Sequence, residues 1–299
     1  MTSNRNIDNL IINGEWRIDT EYGMAQLMQY LDELDMLERG VPIEELGISK
    51  RKEASLPELF SPSASGYQLL ADSGISSLSS ARKTPRNSFA ILKLSGVMRS
   101  EDGWCSYGMY TMADWIAQIN ANDNIAGILI RANSGGGESL SGQILKNALI
   151  DSRKPVVTHA DFLGSAAVEG TLPSAEIIAS GASSRIGSIG VYASIDKRMR
   201  EYYQKNYEDI YATQSPQKNI AFREYLRGNI APLQKEIDKS ATSFQNEVLK
   251  FRPDVAKYAD TLQGGVFDAK SAKKRGLVDS IGTFNDALRR LAFHAGVKI

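Results

Sequence analysis

Few residues in this chain can do chemistry. It has one cysteine, Cys105, and two histidines, His159 and His294, in 299 residues. A single cysteine cannot build a disulfide framework or a cysteine metal cluster. Two histidines cannot form a three-histidine zinc site, and HExxH does not occur. The Gly135-Gly136-Gly137 run is not GxGxxG, no GK[ST] phosphate loop is present, and GxSxG is absent. We therefore expect neither a metal nor a cofactor. His159 lies just past a predicted strand and reads either as a base or, better, as a satisfied core or surface histidine. Cys105, beside Trp104, reads as a small hydrophobe. What remains is a serine nucleophile with a lysine base. That lysine must be neutral near pH 7, so burial or nearby positive charge must depress its ordinary pKa of about 10.4.

Two stretches suit such chemistry. Gly127-Ile128-Leu129-Ile130 is an apolar run of strand length that ends in Ser134-Gly135-Gly136-Gly137, and a helical pattern starts near Glu138. Three glycines turn tightly and bring backbone N–H groups close to a ligand. Between strand and helix, that is a place for an anion or a developing oxyanion. In the second stretch, Gly164-Ser165-Ala166-Ala167, a serine stands among small residues at the start of a predicted helix. The first turn would leave the Ala166 N–H free to point at an oxyanion. On local pattern alone Ser165 is a nucleophile or simply an N-cap serine.

The elements that must position these residues alternate. Strands are expected over 89–94, 125–130, 154–158 and 175–179, and helices over 110–119, from about 138 to 150, and over 164–172. A longer helix is expected from about 231 to 250 and a last one from 284 to about 293, and a charged, tyrosine-rich segment over 197–212 is expected to be helical. Strand–helix alternation with short turns implies parallel crossover units, hence an α/β fold around a mostly parallel sheet. We divide the chain into a mostly helical N-terminal arm (1–60), a Ser/Gly-rich linker (61–88) and the main domain (89–299).

Composition narrows the partners. Lys+Arg and Asp+Glu both count 35, so the formal charge is zero and no nucleic-acid footprint is expected. No run approaches 18 apolar residues, and the first residues lack a basic region followed by an apolar one. We expect no signal peptide, no membrane span and a cytoplasmic location.

Five blocks stand in order: Asn133-Ser134-Gly135-Gly136-Gly137, Lys154-Pro155-Val156, Gly164-Ser165-Ala166-Ala167, Gly187-Ser188-Ile189-Gly190-Val191, and a late block from Gly265-Val266-Phe267 to Gly276-Leu277-Val278-Asp279-Ser280-Ile281-Gly282. With these blocks, from about Phe89 to Ala292, the chain resembles the signal peptide peptidase A family of serine peptidases (peptidase family S49) of the ClpP/crotonase superfamily. It is most similar to the short phage and prophage head-maturation members. The resemblance implies ClpP/crotonase-like repeated β-β-α units. It also implies Ser165 as nucleophile, Lys218 as base and Ser188 as the residue that orients the lysine. Gly136 and Ala166 would form the oxyanion hole, and Gly137 and Val168 would contact the substrate. Taken alone, Lys218 is an ordinary loop lysine. The family further implies a polypeptide substrate and a homo-oligomeric ring in which serine and lysine can come from neighbouring protomers. Capsid, scaffold or portal proteins would be partners, in the host cytoplasm or the phage prohead. Two departures stand out: Gly135 replaces the family's usual proline, and Val168-Glu169 replace an aromatic pair.

Overall fold

The structure is a computed structural model. It describes residues 16–18, 36, 39–41, 56–63, 66–70, 78–80, 82, 84–103, 106–195 and 197–298. Most of the 1–60 arm expected to be mostly helical, and the Trp104–Cys105 pair, lie outside the described residues.

The centre is a parallel sheet. β4 (Ser88–Ser95) pairs with β5 (Ile125–Ser134), and β5 pairs with β7 (Val156–Gly164). β7 then serves two neighbours. Val157–Ala160 pair with β8 (Glu176–Ala179), and Phe162–Gly164 pair with β9 (Arg185–Gly187). β10 (Val266–Asp268) joins β9 antiparallel, and β11 (Ser280–Ile281) joins β8 in parallel. Alternate residues of β4 face opposite sides and both sides are apolar, the mark of a strand covered on both faces. Ala90, Leu92 and Leu94 belong to the main core, and Phe89 and Ile91 to the second.

Helices cover the two faces unequally. On the main face lie α1 (Met109–Ala121), α2 (Ser139–Ile150), α3 (Ala166–Thr171), α6 (Ala231–Phe251) and α7 (Ala269–Lys274). Between α3 and α6 run α4 (Lys197–Asn206) and α5 (Ile220–Leu226). The second face is closed by α8 (Phe284–His294), whose Ala287, Leu288, Leu291 and Ala292 pack on Phe89, Leu129, Val157 and Ile178. Gly127 of β5 lets this helix sit close: a Cβ there would stand 2.7 Å from Leu291 Cδ1, so the leucine would have to shift.

The sheet starts earlier in the chain than the 89–299 unit expected from the sequence. β2 (Glu58–Ser63) and β3 (Gly66–Leu69) form an antiparallel hairpin, and β2 pairs with β4. Serine-rich composition concealed the apolar residues that dock it. Leu59 and Leu78 are fully buried, and Tyr67 stacks on Phe89 with ring centroids 4.4 Å apart. Within the arm read as mostly helical, Trp16–Ile18 form a strand, β1, which pairs antiparallel with β6 (Gly136–Glu138). The glycine run is thus not one turn. β5 continues to Ser134, and two of the three glycines belong to a strand.

Candidate active site

β5 and β7 end side by side, with Ser134 in register with Leu163. Ligands in parallel α/β sheets gather at such carboxyl ends. β7 runs through Gly164 to Ser165, and α3 starts at Ala166. The chain reverses at Ser165 with φ 52° and ψ −115°, a conformation that side-chain-bearing residues avoid. The junction is tight. A Cβ on Gly164 would come within 3.0 Å of the Gly135 carbonyl oxygen, and one on Gly142 of α2 within 2.9 Å of the Ala166 carbonyl oxygen. Small residues are therefore needed on both sides of the serine, and they bring it against the glycine loop.

The Gly187–Gly190 segment surrounds the serine. The Ser165 N–H donates to the Gly187 carbonyl at 2.8 Å, and its Oγ donates to the Gly190 carbonyl at 3.4 Å. Ser188 itself has φ 55°, and its N–H donates to the Gly265 carbonyl at 2.7 Å. Ser165 is 1% exposed. Its own Oγ makes no cap bond to α3, so the N-cap alternative for this side chain is not realised. The Ala166 N–H opens α3 and has no partner within that helix.

The glycine strand has two edges. One is tied to residues 98–100: the Met98 N–H donates to the Gly136 carbonyl at 2.8 Å, and the Glu138 N–H to the Met98 carbonyl at 3.0 Å. The Glu138 carboxylate accepts from the Ser100 N–H at 2.7 Å and its Oγ at 2.8 Å. Contact is so close that a Cβ on Gly137 would fall 1.9 Å from the Met98 carbonyl oxygen. Strand alternation turns the N–H and C=O of Gly137 to the other edge. That edge is the one β1 occupies, with Arg17 opposite Gly137. Beside Met98, a cleft is lined by Leu94, Val97, Tyr107, Met112 and Trp115.

The other expected site residues are placed as follows. The Gly136 N–H, expected as an oxyanion donor, donates to Ser134 Oγ at 3.1 Å, and that hydroxyl donates to the Gly96 carbonyl at 2.6 Å. Val168, expected to contact substrate, is 3% exposed and packs in the main core, because α3 is short and buried on every side. No hydrogen bond joins Lys218 to Ser165 in the structure. It lies exposed in the turn before α5, and among the described residues its side chain has no hydrogen-bond partner. Ser188 bonds neither of them. His159 is a core histidine in mid-β7, its Nε2 3.0 Å from the Gly282 carbonyl oxygen. Sequence reasoning missed the carbonyls of Gly187 and Gly190 and the hydroxyl of Ser134, although each lies inside a quoted block. Among the described residues no acidic, histidine or cysteine group is arranged to hold a metal.

Comparison with known proteins places the chain in a family. Residues 148–298 match the family model "Peptidase family S49". The chain belongs to that family. A Methanocaldococcus jannaschii protein, provisionally described as a protease, is 28% identical over 60% of this chain and 59% of its own length. Protease 4 of Salmonella typhi is 28% identical over 72% of this chain and 36% of its own length. The chain therefore spans 59% and 36% of the length of these two relatives, less than two thirds of either. Among solved structures, a ClpP1 variant from Listeria monocytogenes aligns with TM-score 0.44 at 15% identity, covering 66% of this chain and 94% of that one. An enoyl-CoA hydratase/carnithine racemase from Magnetospirillum magneticum aligns with TM-score 0.41 at 12% identity, covering 70% of each chain.

Proposed function

We propose that the chain is a serine endopeptidase whose nucleophile is Ser165 and whose base is Lys218. The observation that carries this reading is Ser165 itself, a buried serine in a backbone conformation that costs about 1–3 kcal/mol, beside a glycine strand whose outer edge is held only by the three residues of β1. An extended polypeptide would pair with the Gly137 edge. Lys218 takes the Ser165 proton as Oγ attacks the scissile carbonyl. The Ala166 N–H holds the oxyanion, joined by the Gly136 N–H once it leaves Ser134 Oγ. Lys218 then protonates the leaving amine, and water hydrolyses the acyl-enzyme.

A lysine acts as a base when it is withdrawn from water. Lys218 is exposed in the single chain, so the reading requires a cover, and a neighbouring protomer of a ring supplies it. The segment that carries Lys218 suits this role. Ile210, Tyr202, Tyr207 and Ile230 are all exposed there, and the first half of α6 buries little.

The test mixes two inactive variants. Ser165→Ala and Lys218→Ala should each lower casein hydrolysis by at least about 10³-fold. Mixing and reassembling them should restore a measurable fraction if each site draws on two chains. Hydrolysis that survives in Ser165→Ala would remove the nucleophile assignment.

The finer reading, maturation of a phage or prophage head by cleavage of scaffold or portal-associated proteins in the prohead or host cytoplasm, rests on the resemblance described above. The named relatives are proteases, which favours a general peptide-degrading enzyme equally. Incubation with the capsid and scaffold proteins encoded beside this chain separates the two. Discrete, Ser165-dependent products from those proteins alone support maturation, and indiscriminate digestion supports the general enzyme.

A further inference from the structure

Gly136–Glu138 has one edge committed to residues 98–100 and the other to the chain's own β1. The register is antiparallel, with Trp16 opposite Glu138, Arg17 opposite Gly137 and Ile18 opposite Gly136. β1 and β6 form a separate two-stranded sheet and do not extend the main one. By sequence, residues 19–57 intervene before the next described strand, so β1 reaches the glycine loop from far along the chain. Nothing in β2 to β5 needs β1 to complete its pairing, since the main sheet is hydrogen-bonded without it.

We propose that Trp16–Ile18 are an internal occupant of the peptide-binding edge, held there until a substrate strand displaces them. This rests on reading the Gly137 edge as the place where a polypeptide substrate pairs. Three features fit an occupant that blocks and is not itself cut. Its pairing covers three residues, and a short two-stranded pair is marginal on its own, so displacement is easy. Its tether keeps it at high effective concentration, so it returns whenever the edge is empty. Finally, the site it occupies is unarmed in one chain: the Ser165 hydroxyl is bonded to the Gly190 carbonyl, and Lys218 stands in solvent. The Gly136 N–H is turned to Ser134 Oγ at the same time. Occupant, resting serine and withdrawn oxyanion donor make one consistent state.

The backbone supplies the pairing, so the test removes a backbone donor. Arg17→Pro takes away the N–H that faces Gly137, whereas Arg17→Ala keeps it. Both are made in the full chain carrying Ser165→Ala, so that nothing is turned over. The probe is a fluorescein-labelled peptide of residues 12–22 (INGEWRIDTEY), and binding is followed by fluorescence anisotropy. Arg17→Pro should bind it about tenfold more tightly than the Arg17 parent, while Arg17→Ala stays near the parent. Equal affinity in Arg17→Pro and the parent overturns the proposal, as does absence of binding to Arg17→Pro. Because the measurement needs no hydrolysis, its failure is distinct from failure of the catalytic reading, which casein hydrolysis by the unmutated chain decides. With Ser165 restored, Arg17→Pro should also raise the initial rate on casein, and an unchanged rate at sub-saturating casein counts against the occupant.

Discussion

Ser165 holds a backbone conformation that glycine would adopt without cost. The strain gives a prediction independent of activity. Ser165→Gly should be more stable than Ser165→Ala by about 1 kcal/mol, measured by urea denaturation, although both lack the hydroxyl. Equal stabilities would mean that the junction relaxes and stores no strain. Ser165 was legible in the sequence because small residues flank it after a strand, and crowding there admits little else. Its left-handed φ was not legible, since serine gives no hint of it. Nor was the burial of Val168, which follows from the six-residue length of α3 and not from valine's identity.

Elements are joined around the site by a buried ion pair. Lys146 of α2 lies 3.3 Å from Glu169 of α3 and 3.0 Å from Glu247 of α6, and the Glu169 side chain is only 2% exposed. Removing the ammonium with Lys146→Met leaves the buried Glu169 carboxylate without it, and should cost about 3 kcal/mol in chemical denaturation. The double variant Lys146→Met/Glu169→Gln should regain more than half of that loss. A second prediction concerns α8. Thr283 and Asp286 form a capping box, and bonds from the Thr283 hydroxyl and N–H, then from Arg289, lower the Asp286 pKa to about 2. A carboxyl group with a depressed folded pKa stabilises the fold above its unfolded pKa of about 3.9 and loses that contribution as pH falls through the folded value. The stability gap between the unmutated chain and Asp286→Asn should therefore be steady from pH 7 to 5, shrink below about pH 4 and close near pH 2. A gap that is constant across this range would remove the charge of Asp286 from the account. Most helices were readable from apolar spacing and most central strands from short apolar runs. The β2–β3 hairpin was not, because serine and glycine dominate its surroundings and its anchoring apolar residues are too few to show a period.

At the scale of the molecule, the parallel core was readable because strands covered on both faces must be apolar throughout, as Ile128-Leu129-Ile130 are. Assembly is written less plainly. Lys218 and Ser165 are not joined within one chain, and no spacing in a sequence says which copy a partner residue comes from. If the dyad is shared, the specific rate should fall on dilution and should follow the oligomer fraction seen by analytical ultracentrifugation. A rate independent of concentration would place the base within the protomer.

The helix on the second face, alone there among the described residues, bears on how the protein is made. α8 follows in sequence every strand that it covers, so Phe89, Leu129, Val157 and Ile178 have no cover from it while those strands are being synthesised. A nascent chain arrested before Phe284 should present a broad sticky surface to chaperones and to other nascent chains, and completion of α8 should end that exposure. Synthesis of α8, more than the packing of the main face, would then set how much of this protein is recovered in usable form.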